Sequence, residues 1–183
     1  MNSWNVTTNV TSVTNDVDMR DADDTKKFTG DPTQIGNFTG MRIEIYCDGS
    51  FRKGKSGIGL AIYLDGNLHM EFSSATKETT NNRTEIIAVY SALLTAHIHY
   101  SRVPNVMIYS DSEYTINSVT KWYDGWVTRG ERKANMDILD PVVKLYKEMC
   151  LKRNVVITWV KGHSGILGNE KVDKLAKKHT YDI

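Results

Sequence analysis

Arg42-Ile43-Glu44-Ile45-Tyr46-Cys47-Asp48-Gly49-Ser50 alternates polar and apolar residues, turns apolar, and then delivers a carboxylate at Asp48. That pattern predicts a strand over Arg42 to Cys47 with Asp48 at its end. A second apolar run, Val106 to Tyr109 after Pro104, does the same for Asp111 in Ile108-Tyr109-Ser110-Asp111-Ser112-Glu113. Two further acids sit in helical patterns. Glu85 follows Thr80-Asn81-Asn82-Arg83-Thr84, and Asp173 lies in Asn169-Glu170-Lys171-Val172-Asp173-Lys174-Leu175-Ala176. Carboxylates delivered to one point repel each other unless something positive lies between them. A cluster of carboxylate and water oxygens suits Mg²⁺ or Mn²⁺. A pair of such ions is the usual device for in-line displacement at a phosphodiester.

The rest of the chain supplies a scaffold for these four. Gly57 to Leu64 and Leu68 to Ser74 flank Asp65-Gly66, a two-residue hairpin signal. Thr84 to His97 carries Ile86, Ile87, Val89, Tyr90, Leu93 and Leu94 at helical spacing. Thr80, Asn81 and Asn82 all suit its N-terminal cap. Further helices are predicted over Ser112 to Lys121, Asp137 to Leu151 and Asn169 to His179. A β-branched strand is predicted over Val155 to Val160. The order βββαβααβα implies an α/β layered sheet with an antiparallel hairpin at one edge. Ligands in such sheets lie at the carboxyl ends of parallel strands, where Asp48 and Asp111 are expected.

The 183 residues allow one domain and a tail. Residues 1–40 hold six Asp against one Arg and two Lys, a charge of −3. The chain total is +1, so residues 41–183 carry +4. A mildly basic domain agrees with a polyanionic partner. The Asn/Thr/Asp-rich tail has no sustained periodicity and reads as disordered. Two cysteines, Cys47 and Cys150, without a CxxC, argue against a disulfide framework or a zinc site. Cys47 reads as a small buried apolar residue. No apolar run reaches membrane-spanning length, and the N-terminus lacks a secretory pattern. The expectation is an intracellular monomer with no membrane role, cytoplasmic or nuclear.

Each acid also has an ordinary reading. Asp48 before Gly49 suits a turn. Glu85 in a first helical turn complements the helix dipole. Asp111 between strand and helix suits an N-cap. Asp173 among lysines suits a surface ion pair.

Five motifs in order decide between these readings: Asp48-Gly49-Ser50, Thr80 to Glu85, Ser110-Asp111-Ser112, Lys161-Gly162-His163-Ser164-Gly165, and Asn169 to Asp173. Together, from about Met41 to Lys178, they resemble type 1 ribonuclease H. The resemblance implies a ribonuclease H-like fold, with a mixed five-stranded sheet of three antiparallel and then parallel strands, flanked by helices. It implies residues 41–183 as a catalytic domain and hydrolysis of the RNA strand of an RNA–DNA hybrid, leaving 5′-phosphate and 3′-hydroxyl ends. It makes Asp48, Glu85, Asp111 and Asp173 the ligands of two Mg²⁺ ions, for which Mn²⁺ can substitute. His163, between Gly162 and Gly165, becomes a proton-handling residue, a task its intrinsic pKa suits.

The same resemblance assigns hybrid recognition to Thr80, Asn81 and Asn82, the amides reading 2′-hydroxyls and the Thr holding a DNA phosphate. Glu78 stands where the family often has Arg, and Gly54 where many members have Asn. Lys53 or Lys55 then becomes a candidate for phosphate contacts. Lys121 to Trp126 resembles the start of the family's basic protrusion. Trp122 and Trp126 share a helical face, with Arg129, Arg132 and Lys133 following. One or both tryptophans could instead pack into the core. Asn135 matches a phosphate-contacting Asn. Two rivals stay open: a catalytically silent nucleic-acid-binding module of the same fold, and a DNA-directed resolvase or integrase of the wider superfamily.

Overall fold

The computed structural model describes residues 40–181. The tail reading for residues 1–40 lies, but for Gly40, outside the described residues. Among the described residues, five strands form one sheet: β1 Arg42–Arg52, β2 Lys55–Leu64, β3 Asn67–Thr76, β4 Asn105–Ser110 and β5 Asn154–Trp159. Their order is β3-β2-β1-β4-β5. The pairs β1/β2 and β2/β3 are antiparallel, whereas β1/β4 and β4/β5 are parallel. This is the mixed sheet expected from the sequence. The β2–β3 turn is the expected Asp65-Gly66 hairpin, with positive φ at both residues (48° and 86°).

The helices are α1 Asn81–His99, α2 Glu113–Asn117, α3 Tyr123–Thr128, α4 Met136–Cys150 and α5 Leu167–Lys177. A π-helical turn, Ser118–Trp122, joins α2 to α3. Helix α1 packs on β1 and β2 and is covered in turn by α4, while α5 packs on β1, β2 and β3. Ile43, Ile45, Cys47, Ile86, Val89, Leu93, Val106, Ile108, Leu139 and Val142 belong to the larger core cluster. Burial of each large aliphatic among them contributes roughly 1.5–3 kcal/mol. A smaller cluster, Ala61, Val172 and Leu175 with Tyr46 and Tyr63, joins α5 to the sheet. Strand alternation thus sends odd β1 residues toward the larger core and even ones, Asp48 included, toward α5. Among the described residues, no helix is long and apolar enough to cross a membrane.

Three expectations need correction. Strand β1 does not stop at Cys47. It runs on to Arg52, because β2 offers partners as far as Lys55, so Asp48 lies inside the strand opposite Gly59. Glu85 is not in the first turn of its helix. The helix starts at Asn81, with Thr80 as cap accepting from the Arg83 amide. Asp111 is not the cap of α2. Ser112 is, accepting from the Thr115 amide, which leaves the Asp111 carboxylate uncommitted to capping.

Candidate active site

The β1/β4 ladder pairs Tyr46 with Tyr109. Two residues beyond that pair come Asp48, inside β1, and Asp111, just past the end of β4. Glu85 reaches this end from α1. An ideal Cβ at Gly49 would sit 2.6 Å from the Thr84 carbonyl carbon and 2.7 Å from the Glu85 nitrogen. Any side chain there would push α1 away. With glycine, the Gly49 amide donates to Asp48 Oδ1 at 2.9 Å and to Glu85 Oε2 at 3.1 Å.

The result is a group of carboxylate oxygens, one each from Asp48, Glu85 and Asp111, all within 4.8 Å of one another. Asp48 and Glu85 are buried. Burial, then the charges of Asp111 and Asp173, push the Asp48 carboxyl from its ordinary 3.8 up to about 7. Burial, then Asp48 and Asp111, hold Glu85 well above its ordinary value. The same acids, after burial, raise the Cys47 thiol. Full ionisation of the cluster is therefore unfavourable without a cation, and the hydrogen bonds from Gly49 do not offset that. Its donors are oxygen alone, which fits a hard divalent cation such as Mg²⁺ or Mn²⁺.

Asp173 is not in this group of three. Its carboxylate is paired with Lys177, one helical turn on, at 2.7 Å. It is nevertheless close enough for its charge to act on Asp48. Gly59 explains the proximity. A Cβ there would lie 2.5 Å from the Val172 oxygen, so α5 rests directly on the strand position opposite Asp48.

His163 is exposed, with φ of 52°, in the loop after β5. Thr80, Asn81 and Asn82 are exposed at the start of α1. Asn81 and Glu85 are four apart and so share a helix face. Glu78, in place of the family's Arg, is buried and accepts from Arg83 Nε at 2.7 Å. Arg83 also forks onto both Asp137 oxygens at 3.0 and 2.9 Å. This ties the start of α1 to the start of α4. That role had no signal in the sequence, because residues 83 and 137 meet only through packing.

In the segment read as the protrusion, one tryptophan is exposed and the other packs inward. Trp122 is 42% exposed, whereas Trp126 packs partly against the core, with their rings 5.9 Å apart. The two rings stay neighbours, as residues four apart on a helix do. Of the three basic residues, Arg129 and Lys133 are both paired with Glu131. They hold its carboxyl down to about 2. Asn135 adopts φ of 68°, and its Nδ2 donates to the Tyr114 hydroxyl at 3.1 Å.

Comparison with known proteins agrees with this geometry. The RNase H family model matches residues 41–181. The Ribonuclease H of Francisella philomiragia is 38% identical over 153 residues, covering 79% of this chain and 95% of that protein. That of Gluconobacter oxydans is 36% identical over 145 residues, covering 75% and 91%. Among solved structures, the PFV RNase H domain superposes with a TM-score of 0.61 at 22% identity, over 75% of this chain and 93% of that one. RNase H1 from Halobacterium salinarum gives 0.56 at 23%, over 75% and 96%. LC11-RNase H1, solved in complex with an RNA/DNA hybrid, gives 0.53 at 24%, over 74% and 97%. The structural matches speak for the fold, and the family model and sequence relatives for descent: the chain belongs to the ribonuclease H family of endoribonucleases.

Proposed function

We propose that the protein hydrolyses the RNA strand of RNA–DNA hybrids, leaving 5′-phosphate and 3′-hydroxyl ends, and that residues 41–183 carry the activity as an intracellular monomer. The observation that carries the reading is the meeting of Asp48, Glu85 and Asp111 within 4.8 Å. These three would hold two Mg²⁺ ions, with Mn²⁺ able to replace them, and Asp173 would complete the set once released from Lys177. Bound ions of this kind supply a nucleophile at neutral pH and stabilise the leaving 3′ oxygen.

The chain's own residues do the rest. The Gly49 amide holds the Asp48 and Glu85 carboxylates side by side. Asn81 and Asn82, exposed one turn before Glu85, can donate to and accept from ribose 2′-hydroxyls close to the acids. Thr80 reaches a DNA phosphate, with Lys53 or Lys55 as further phosphate contacts. Trp122 offers an exposed ring to the DNA strand, with Trp126 beside it, and Asn135, held by Tyr114, contacts a phosphate. His163 moves a proton at the departing oxygen or speeds product release. The rival DNA-directed reading lacks a use for paired amides beside the acids.

The test is incubation with labelled RNA–DNA, RNA–RNA and DNA–DNA duplexes, with Mg²⁺ and with EDTA. Cleavage of the RNA strand of the hybrid alone, abolished by EDTA, is expected. Hybrid binding without cleavage would favour the silent module, and cleavage of DNA junctions the resolvase reading.

A further inference from the structure

Asn169 lies in the first turn of α5 and is 2% exposed. Its Nδ2 donates to Asp111 Oδ2 at 3.3 Å. An ionised carboxylate only accepts, so the amide must present its nitrogen to Asp111. Its Oδ1 is buried with no hydrogen-bond partner among the described residues. A buried acceptor left unmatched is destabilising, and an apolar residue of the same size would avoid that cost. The fold alone therefore gives no reason for an amide here. The side-chain contact that needs one is Asp111.

Asp111 is held from other directions too. Trp159 Nε1 donates to its backbone oxygen at 3.1 Å. The loop after β5 abuts its carboxylate, since a Cβ at Gly162 would lie 2.8 Å from Oδ2. Asn169 adds the one directional contact made by another side chain to the carboxylate itself among the described residues.

We propose that Asn169 is a positioning residue that aims the Asp111 carboxylate into the acid cluster and thereby sets how tightly the site holds a divalent cation. The inference rests on the metal-site reading above. Without the donor, Asp111 must be ordered anew each time a cation binds, at a cost in side-chain entropy. Partners that orient a metal ligand are typically worth about 10–100-fold in affinity or activity.

The test uses Asn169→Leu, which keeps the volume and removes both polar atoms. In EDTA it should melt no lower than the parent. Mn²⁺ binding, followed by calorimetry without nucleic acid, should weaken about 10–100-fold. Turnover should fall while the KM for hybrid stays unchanged. Asn169→Ala, which cannot overpack, should show the same loss of Mn²⁺ affinity if the leucine variant fails to fold. Asp111→Asn serves as the control. If it binds Mn²⁺ like the parent, the metal-site reading itself fails. If it loses Mn²⁺ while the Asn169 variants keep parental affinity, the positioning role is overturned and the metal site stands. A leucine variant that melts lower in EDTA but binds Mn²⁺ normally would likewise overturn it, leaving Asn169 a structural residue.

Discussion

Lys177 Nζ sits 2.7 Å from Asp173 Oδ1, one turn along α5, so the fourth acid is already bound to a cation of the chain's own. The same lysine lowers the Asp48 carboxyl, against the larger upward effects of burial and neighbouring acids. Lys177 is thus a resident counter-ion, and on the proposed function Asp173 would have to leave it in order to hold a metal. Lys177→Met should lower metal-free stability by about 0.3–0.5 kcal/mol, the range of an i,i+4 helix ion pair. It should also tighten Mn²⁺ binding severalfold, because a competitor is gone. Melting in EDTA and calorimetric titration measure the two effects. An unchanged Mn²⁺ affinity would mean that Asp173 serves the metal without releasing Lys177.

Asp48→Asn should abolish Mg²⁺-dependent hybrid cleavage while raising the melting temperature in EDTA. The asparagine keeps the shape and removes a charge that is both buried and repelled by its neighbours. Cleavage assays and thermal melts on one preparation test both halves. Near-parental cleavage would remove Asp48 from the site.

The metal-free protein should lose stability as pH rises from about 4 to about 7. Asp48 has its folded pKa raised from 3.8 to about 7, so the folded state binds the proton more tightly than the unfolded one. Its contribution is fully present below the unfolded pKa and is lost as pH climbs through the folded value. Glu85, raised in the same direction, adds to the slope. Saturating Mg²⁺ favours the charged carboxylates and should flatten or reverse that slope. Denaturant melts at several pH values, with and without Mg²⁺, measure it. A metal-free stability that rises across this window would contradict the raised carboxyl groups.

His163→Ala should cut turnover by about 10²-fold or more, in line with a positioned acid–base group. Mn²⁺ affinity should hold, since His163 is exposed and outside the acid group. His163→Gly should be at least as stable as His163→Ala, because φ of 52° suits glycine better than alanine. Calorimetry and kinetics on both variants decide this. Loss of metal binding with His163 would make it a ligand instead.

What could be read directly depended on neighbours in the chain. Alternation marked β1, helical spacing marked α1 and α4, and Asp65-Gly66 marked the hairpin, because strand, helix and turn preferences act over two to four residues. The family motifs named the acids, and hence the fold, without any geometry. Where elements ended was less legible: β1 runs past Cys47 only because β2 supplies partners as far as Lys55. The π turn at Ser118–Trp122 left no mark in the sequence, and which of the two neighbouring rings is exposed, Trp122, and which packs partly against the core, Trp126, is decided by tertiary packing.

Tertiary structure alone decided how the acids meet. Sequence placed Asp48, Glu85, Asp111 and Asp173 on four separate elements with equal standing. Packing of α1 onto Gly49 and the parallel register of β1 and β4 bring three of them together. The seating of α5 on Gly59 brings the fourth close but leaves it with Lys177. Asn169 and Arg83 likewise acquire their partners, Asp111 and Asp137, from across the fold. The physical reason is range. Backbone preference is settled by adjacent residues, whereas a carboxylate's energy depends on every charge, donor and buried surface within a few ångströms, whatever its distance along the chain.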